Sequence, residues 1–229
     1  ILSTYNEAHL IEKAKQNETE IFWADKAWKI INDEWKEDIR HVTVKNIASG
    51  YIKNYTLDLA GYYQQKNLIT VLSAIKILQQ KWNITDEVIQ NAAAHVKSLT
   101  GLRGRWDIVS HHPLIAFDVA HNEAGLREVF AQVAMQHYEE LHIVVGFVKD
   151  KNINAALMKF PKEARYYFCQ ANIPRALPAE ELRQQALAFD LQGKTFATVK
   201  DAFTSAKKNA LQKDMILVCG SFFIVSEVM

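Results

Sequence analysis

"FDVAHNEAGL", residues 117–126, places an acid, a histidine and an asparagine within five consecutive positions. An apolar run, "LIAFDVA", leads into it, and Leu126, Val129, Phe130 and Val133 follow at helical spacing. A buried strand that leaves through polar residues into an amphipathic helix is one unit of an α/β fold. The same rhythm continues downstream through "LHIVVGFV", "NINAALMKF", "ARYYFCQA", "AEELRQQAL", "TFATV", "AFTSAKKNAL" and "MILVCGS". Near-continuous apolar strands alternating with amphipathic helices predict a mostly parallel sheet covered on both faces, a Rossmann-like domain. In such a sheet ligands collect at the carboxyl ends of strands, where loops enter helix N-termini. Asp118, His121 and Asn122 are predicted to stand on that rim.

Upstream of this domain the pattern is different. "IFWAD", "HVTVKNI" and "GYIKNYTLDL" read as strands of a small sheet. A helical stripe of Leu68, Val71, Leu72, Ile75 and Leu78 follows, and then a second helix in "TDEVIQNAAAHVKSL". Thr85 is placed to cap that second helix, with Asp86 and Glu87 in its first turn. "TGLRGRW" carries two glycines where the rhythm changes, so the domain boundary is set near Gly104, giving 1–104 and 105–229.

The bulk composition excludes several classes. Of 229 residues, 49% are hydrophobic, enough to bury a sizeable core, and 27 basic residues balance 26 acidic ones. That balance provides no field to recruit nucleic acid or an anionic membrane. The longest apolar stretch, "MILVCGSFFIV", is too short for a bilayer and is followed by Glu227. The first residues lack a basic region followed by an apolar core, so no secretory signal is read there. Cys169 and Cys219 lie in apolar runs and read as buried free thiols, in keeping with a reducing cytoplasm. A chain that opens on Ile1 is expected to be part of a longer one.

No G-x-G-x-x-G follows a strand, so a dinucleotide fold is not indicated. "AFDLQGKT", residues 188–195, imitates a phosphate loop, but Ala188 occupies the first glycine position and Lys194 precedes a strand rather than opening a helix. It reads as a helix-to-strand turn. His111 and His112 precede Pro113 in a predicted turn between strands, and no metal site is assigned.

Six short motifs stand in one order: "GYYQQKN" (61–67), "GLRGRWD" (101–107), "DVAHN" (118–122), "GFVKDKN" (146–152), "NIPRAL" (172–177) and "GSFFIV" (220–225). Together they resemble the folylpolyglutamate synthase and dihydrofolate synthase family, a branch of the Mur ligase superfamily. The resemblance covers essentially the whole chain. It implies an α/β carboxyl-terminal domain with a mostly parallel sheet, preceded by the α+β tail of a central ATPase domain. It implies an ATP-dependent ligase that joins L-glutamate to dihydropteroate or folate through an acyl phosphate. ATP and Mg2+ are the implied cofactors, with the phosphate loop and metal ligands expected in a preceding segment. A cytoplasmic monomer, inactive as this piece alone, is the implied state.

Carried over by position, Asn67 resembles the asparagine that reads adenine, an amide offering both donor and acceptor. Arg105 resembles the arginine that reaches ATP phosphate, where a fixed cation offsets charge. Asp118 would accept from the ribose or fix the interdomain arrangement, and His121 would sit beside the incoming amino acid or the phosphates as orienting group or proton carrier. Asn122 reads first as a helix cap. Ser221, with Gly220 before it, resembles the serine near the glutamate site, and Arg175 is apt for a glutamate carboxylate. Asp150 and Lys151 read as a loop-ordering pair or a ligand contact. Departures from the family pattern are Val119 for glycine, Glu123 for proline, Asn152 for an acid and Phe223 for a phenol. Two alternatives stay open: another Mur-type ligase, such as one acting on cell-wall precursors, and a non-catalytic Rossmann-like binding module.

Overall fold

The computed structural model describes residues 7–149 and 153–229. The chain divides into two compact units, Ile1–Leu102 and Arg103–Met229.

The first unit begins with helices α1 (Glu7–Gln16) and α2 (Ala24–Ala27). Strands β1 (Trp28–Lys36), β2 (Ile39–Asn46) and β3 (Ile52–Leu57) then form an antiparallel sheet in sequence order. Helices α3 (Gln64–Leu78), α4 (Asp86–Ala94) and α5 (Val96–Thr100) complete the unit. Alternation sends Val42, Val44, Tyr55 and Leu57 to one face of the sheet, where they pack with Leu68 and Leu72 of α3 and Ile89 of α4. Thr85 caps α4 as expected, its hydroxyl accepting from the Val88 amide at 3.3 Å.

Several sequence readings differ here: Val71 and Leu78 of the predicted α3 stripe are exposed, and the one helix read in "TDEVIQNAAAHVKSL" is α4 and α5, parted at His95. "IFWAD" is not a strand: Ala24–Ala27 forms a helical turn closed by the Trp28 amide on the Ala24 carbonyl, and the strand starts at Trp28. The small, buried Ala24 lets the chain turn tightly where the neighbouring aromatic residues mimic strand composition. Helix α1 has no buried residue, so its signal is helix propensity with Glu7 first and lysines last, and a search for apolar stripes passes over it.

The second unit contains β4 (Arg105–His111), β5 (Leu114–Asp118), α6 (Glu123–Val133), β6 (Leu141–Val145), α7 (Asn154–Leu157) and β7 (Arg165–Phe168). It continues with α8 (Ala179–Leu187), β8 (Gly193–Thr195), α9 (Val199–Asn209), β9 (Met215–Cys219) and α10 (Phe222–Ser226). The sheet order is β4-β5-β9-β6-β7-β8, all parallel except the β4–β5 pair. The predicted mostly parallel sheet is therefore present, with an antiparallel edge hairpin that turns at His112–Pro113 as the sequence indicated.

Strand β9, last in the chain, inserts between β5 and β6, and every residue from Met215 to Cys219 is buried. One face of the sheet packs Ile115, Phe117, Val144, Tyr167 and Val218 against Val199, Ala202 and Ala206 of α9. The Phe117 and Phe203 rings meet edge to face at 5.6 Å. On the unit's other side, Phe130 of α6 meets Phe160 edge to face at 4.9 Å. Cys169 and Cys219 are free and buried, and burial pushes both thiols up, so they are unreactive core residues. "AFDLQGKT" runs from the end of α8 into β8, the turn that the sequence indicated. Among the described residues no helix is long and apolar enough to cross a membrane.

Candidate functional site: the carboxyl rim of the parallel sheet

Strand β5 ends at Asp118, which is 2% exposed. Its two carboxylate oxygens accept from backbone amides: Oδ2 from Trp106 at 2.9 Å and Oδ1 from Ala120 at 2.9 Å. Arg105 lies directly opposite Asp118 across the β4–β5 pair. The carboxylate thus locks the start of β4 onto the end of β5, and this lock sets where Arg105 stands. One Arg105 guanidinium nitrogen, Nη1, donates to the Gly104 carbonyl at 3.2 Å.

The entry to β4 is conformationally unusual. Gly104 has φ +71° and Trp106 has φ +54°, with Trp106 fully buried. Gly104 donates to the Asp107 carboxylate, and its carbonyl accepts from the Val119 amide at 3.0 Å. A Cβ at position 104 would lie 2.6 Å from Cγ1 of Val119. Glycine is required twice over at 104, by its dihedral and by the close approach of β5.

His121 is half-buried, three residues past Asp118. Its Nδ1 lies 3.0 Å from the Val119 carbonyl, which can only accept. Nδ1 therefore carries the proton, and Nε2 is the nitrogen available to a ligand. Asn122 caps α6, its Oδ1 accepting from the Gly125 amide at 2.8 Å, in agreement with the sequence reading.

The end of β9 closes the rim. The Gly220 amide donates to the Ala120 carbonyl at 2.9 Å, bringing Ser221 beside the 118–121 segment. Gly220 has φ +105°, a conformation that side chains resist. Ser221 is buried, and its Oγ caps α10 by accepting from the Ile224 amide at 3.2 Å. The hydroxyl proton stays available to donate to an acceptor.

Arg175 is exposed, on the loop after β7. Its carbonyl accepts from the Lys149 amide at 2.9 Å, and its guanidinium lies 5.1 Å from the centroid of the Phe223 ring. The aromatic ring in place of the family's phenol thus acts as a shelf for a cation. Phe223 also lines an open cavity of about 1080 Å3, together with Ile173, Pro174, Thr198, Lys200 and Glu227. Asp118, His121 and Ser221 do not line that cavity. Asp150 and Lys151 lie outside the described residues.

In the second unit, then, Arg105, Asp118, His121, Ser221 and Arg175 share the carboxyl end of one sheet. Asn67 belongs to the first unit, in the first turn of α3, where its Nδ2 donates to Oε1 of the buried Gln64 at 2.8 Å. The Q-x-x-N spacing is thereby a side-chain couple on one helix face. The loop that launches α3 is fixed from below by the buried Arg40. Its Nη1 meets both oxygens of Asp33 at 2.8 Å, and its Nε donates to the Ala60 carbonyl at 3.0 Å. Its guanidinium also stands 5.4 Å from the centroid of the Tyr62 ring. Sequence reading missed this anchor, and it missed Trp106, because nothing in a run of residues marks a buried arginine or a left-handed tryptophan.

An α/β unit with a parallel sheet, a D-x-x-H-N exit from its first parallel strand and a glycine–serine exit from its last is the frame of an acid–amino-acid ligase domain. Residues 104–222 match the Mur ligase, glutamate ligase domain family, and the chain belongs to that family. It is 30% identical over 199 residues to the dihydrofolate synthase/folylpolyglutamate synthase of Escherichia coli, covering 86% of this chain and 44% of that protein. Among solved structures, E. coli FolC in complex with DHPP and ADP superposes with a TM-score of 0.77 at 26% identity, over 97% of this chain and 50% of that one. A bifunctional folylpolyglutamate synthase/dihydrofolate synthase with Mn, AMPPNP and L-glutamate bound shares the fold, with a TM-score of 0.71 at 23% identity over 97% of this chain and 50% of that one. The chain thus spans about half the length of these relatives.

Proposed function

We propose that this chain provides the glutamate-ligase domain, and part of the ATP-binding domain, of an ATP-dependent ligase that adds L-glutamate to dihydropteroate, to reduced folates, or to both. The observation that carries the reading is the meeting of Arg105, Asp118, His121 and Ser221 on one rim of a domain of this family.

In this reading the nucleotide supplies a phosphoryl group to the acceptor carboxylate. The amine of glutamate then attacks the acyl carbon, phosphate leaves and the new amide nitrogen sheds a proton. Arg105 is suited to phosphate, since its guanidinium, with Nη1 on the Gly104 carbonyl, is a fork of several donors that matches an anion. Asp118, each of whose oxygens accepts from one amide, positions the Arg105 turn and keeps lone pairs for the nucleotide ribose. Mg2+ belongs to the reaction as a phosphate partner held by other residues.

His121 offers Nε2 to the glutamate amine or its departing proton, with Nδ1 fixed on the Val119 carbonyl. Ser221 and Arg175 are the hydroxyl and guanidinium for the glutamate carboxylates, and Phe223 holds Arg175 in place. Asn67, steadied by Gln64, presents its amide to adenine. No phosphate loop in helix context occurs in these 229 residues, so the chain by itself is expected not to turn over ATP.

The test uses a polypeptide carrying this chain behind a phosphate-loop domain, with ADP release measured against dihydropteroate, folate and cell-wall precursor acceptors. Glutamate-dependent ADP release with a pteroate or folate acceptor is expected. His121→Ala should lower kcat by about 10²–10⁴-fold, the usual worth of a positioned acid–base group. Turnover only with a cell-wall acceptor would reassign the substrate, and an unchanged rate in His121→Ala would remove the role given to that residue.

A further inference from the structure

At the opposite ends of the same strands lies a second cluster, outside the proposed ligase site. Glu140 immediately precedes β6, His142 is its second residue, and Asp214 immediately precedes β9. His142 is fully buried, Asp214 is buried and Glu140 is exposed. One ligand atom from each side chain lies within 4.8 Å of the other two. Imidazole Nε2 is 3.4 Å from Asp214 Oδ2 and 3.9 Å from Glu140 Oε2. The first is a long hydrogen bond and the second lies beyond hydrogen-bond reach. They are near the separation of about 3.4 Å that neighbouring ligands keep around a tetrahedral Zn2+ with bonds of about 2.1 Å.

Each ligand is also held from behind. Nδ1 of His142 lies 2.9 Å from the Tyr167 hydroxyl, which in turn accepts from Asn209 Nδ2 at 3.2 Å. Asp214 accepts from the Leu211 amide at 2.6 Å and the Glu140 amide at 3.1 Å. Arg165 engages Oε1 of Glu140 at 2.8 Å, leaving Oε2 towards the histidine. Partners of this kind orient metal ligands and fix the ring tautomer.

We propose that Glu140 Oε2, His142 Nε2 and Asp214 Oδ2 form a binding site for a divalent transition cation of the Zn2+ type, tying the amino ends of β6 and β9 together. One nitrogen and two carboxylate oxygens suit such an ion, with solvent completing its coordination. Binding requires the tautomer whose proton is on Nδ1, directed to the Tyr167 oxygen. The site has access to solvent through Glu140, and it stands independently of the ligase reading.

The experiment takes the 229-residue chain, stripped with a chelator, and titrates it with Zn2+ by calorimetry, with Co2+ absorption as a second probe and thermal melting as a third. One ion per chain, tighter than about 100 μM, and a raised Tm are expected. Glu140→Gln, at an exposed position that does not challenge folding, should weaken binding by about 10–100-fold. The paired change His111→Ala with His112→Ala, at two exposed histidines outside the cluster, should leave binding intact. Absence of saturable one-to-one binding overturns the proposal, and so does equal affinity in Glu140→Gln.

Discussion

At position 104 a single methyl group has measurable consequences. Gly104→Ala would force an alanine to φ +71° and press its Cβ to 2.6 Å from Val119. Strain and overpacking together should cost about 2 kcal/mol or more, read from urea unfolding. Adding Val119→Gly should recover only the steric part, because the dihedral stays left-handed, and a double-mutant cycle separates the two contributions. Full recovery would show that the dihedral costs nothing. Asp118 illustrates the limits of reading at this scale. An acid at a strand end can face a ligand or a backbone amide, and both choices look alike in a sequence. The fold adds the amides of Trp106 and Ala120 as partners, their segments brought together by the β4–β5 hairpin. His121 was legible as a rim residue, yet which of its nitrogens faces outward follows only from the position of the Val119 carbonyl.

Among the elements, α6 was largely readable from its residues, although Phe130 of its stripe is only partly buried and Gln132 is buried unforeseen. Leu126, Val129 and Val133 are buried as the stripe requires, and Asn122 caps the first turn. Asn122→Ala should lower stability by about 1 kcal/mol, seen as a lower Tm, while Asn122→Asp should retain most of it. An unchanged Tm in the alanine variant would mean that water replaces the cap. Strand β4 was harder to see. Its residues give no clean alternation, because the register shifts between Arg105 and Asp107 and again between Ile108 and Ser110. Helix α1 was missed for the opposite reason, since no apolar stripe exists where no side chain is buried. Arg175 and Phe223 lie on different elements, and their stacking at 5.1 Å depends on α10 folding back beside the loop after β7.

For the molecule as a whole, the two units each own a core: Val42, Val44, Tyr55 and Leu68 in the first, and Phe117, Val144, Ile216 and Val218 in the second. A piece comprising residues 103–229 is therefore expected to fold alone and to melt cooperatively, with native-like dispersion in its NMR spectrum. A broad, non-cooperative melt would show that its core depends on the first unit. The class of fold, the ordered motifs and the candidate residues Asn67, Arg105, Asp118, His121, Arg175 and Ser221 were all set by the sequence, since hydrophobic period and motif order are local properties of a chain. The insertion of β9 between β5 and β6, the engagement of both Asp118 oxygens, and the meeting of Glu140, His142 and Asp214 were decided by tertiary structure alone. Those contacts join residues as far apart in the chain as Leu114 and Met215, and only the closing of the sheet selects which distant segments become neighbours.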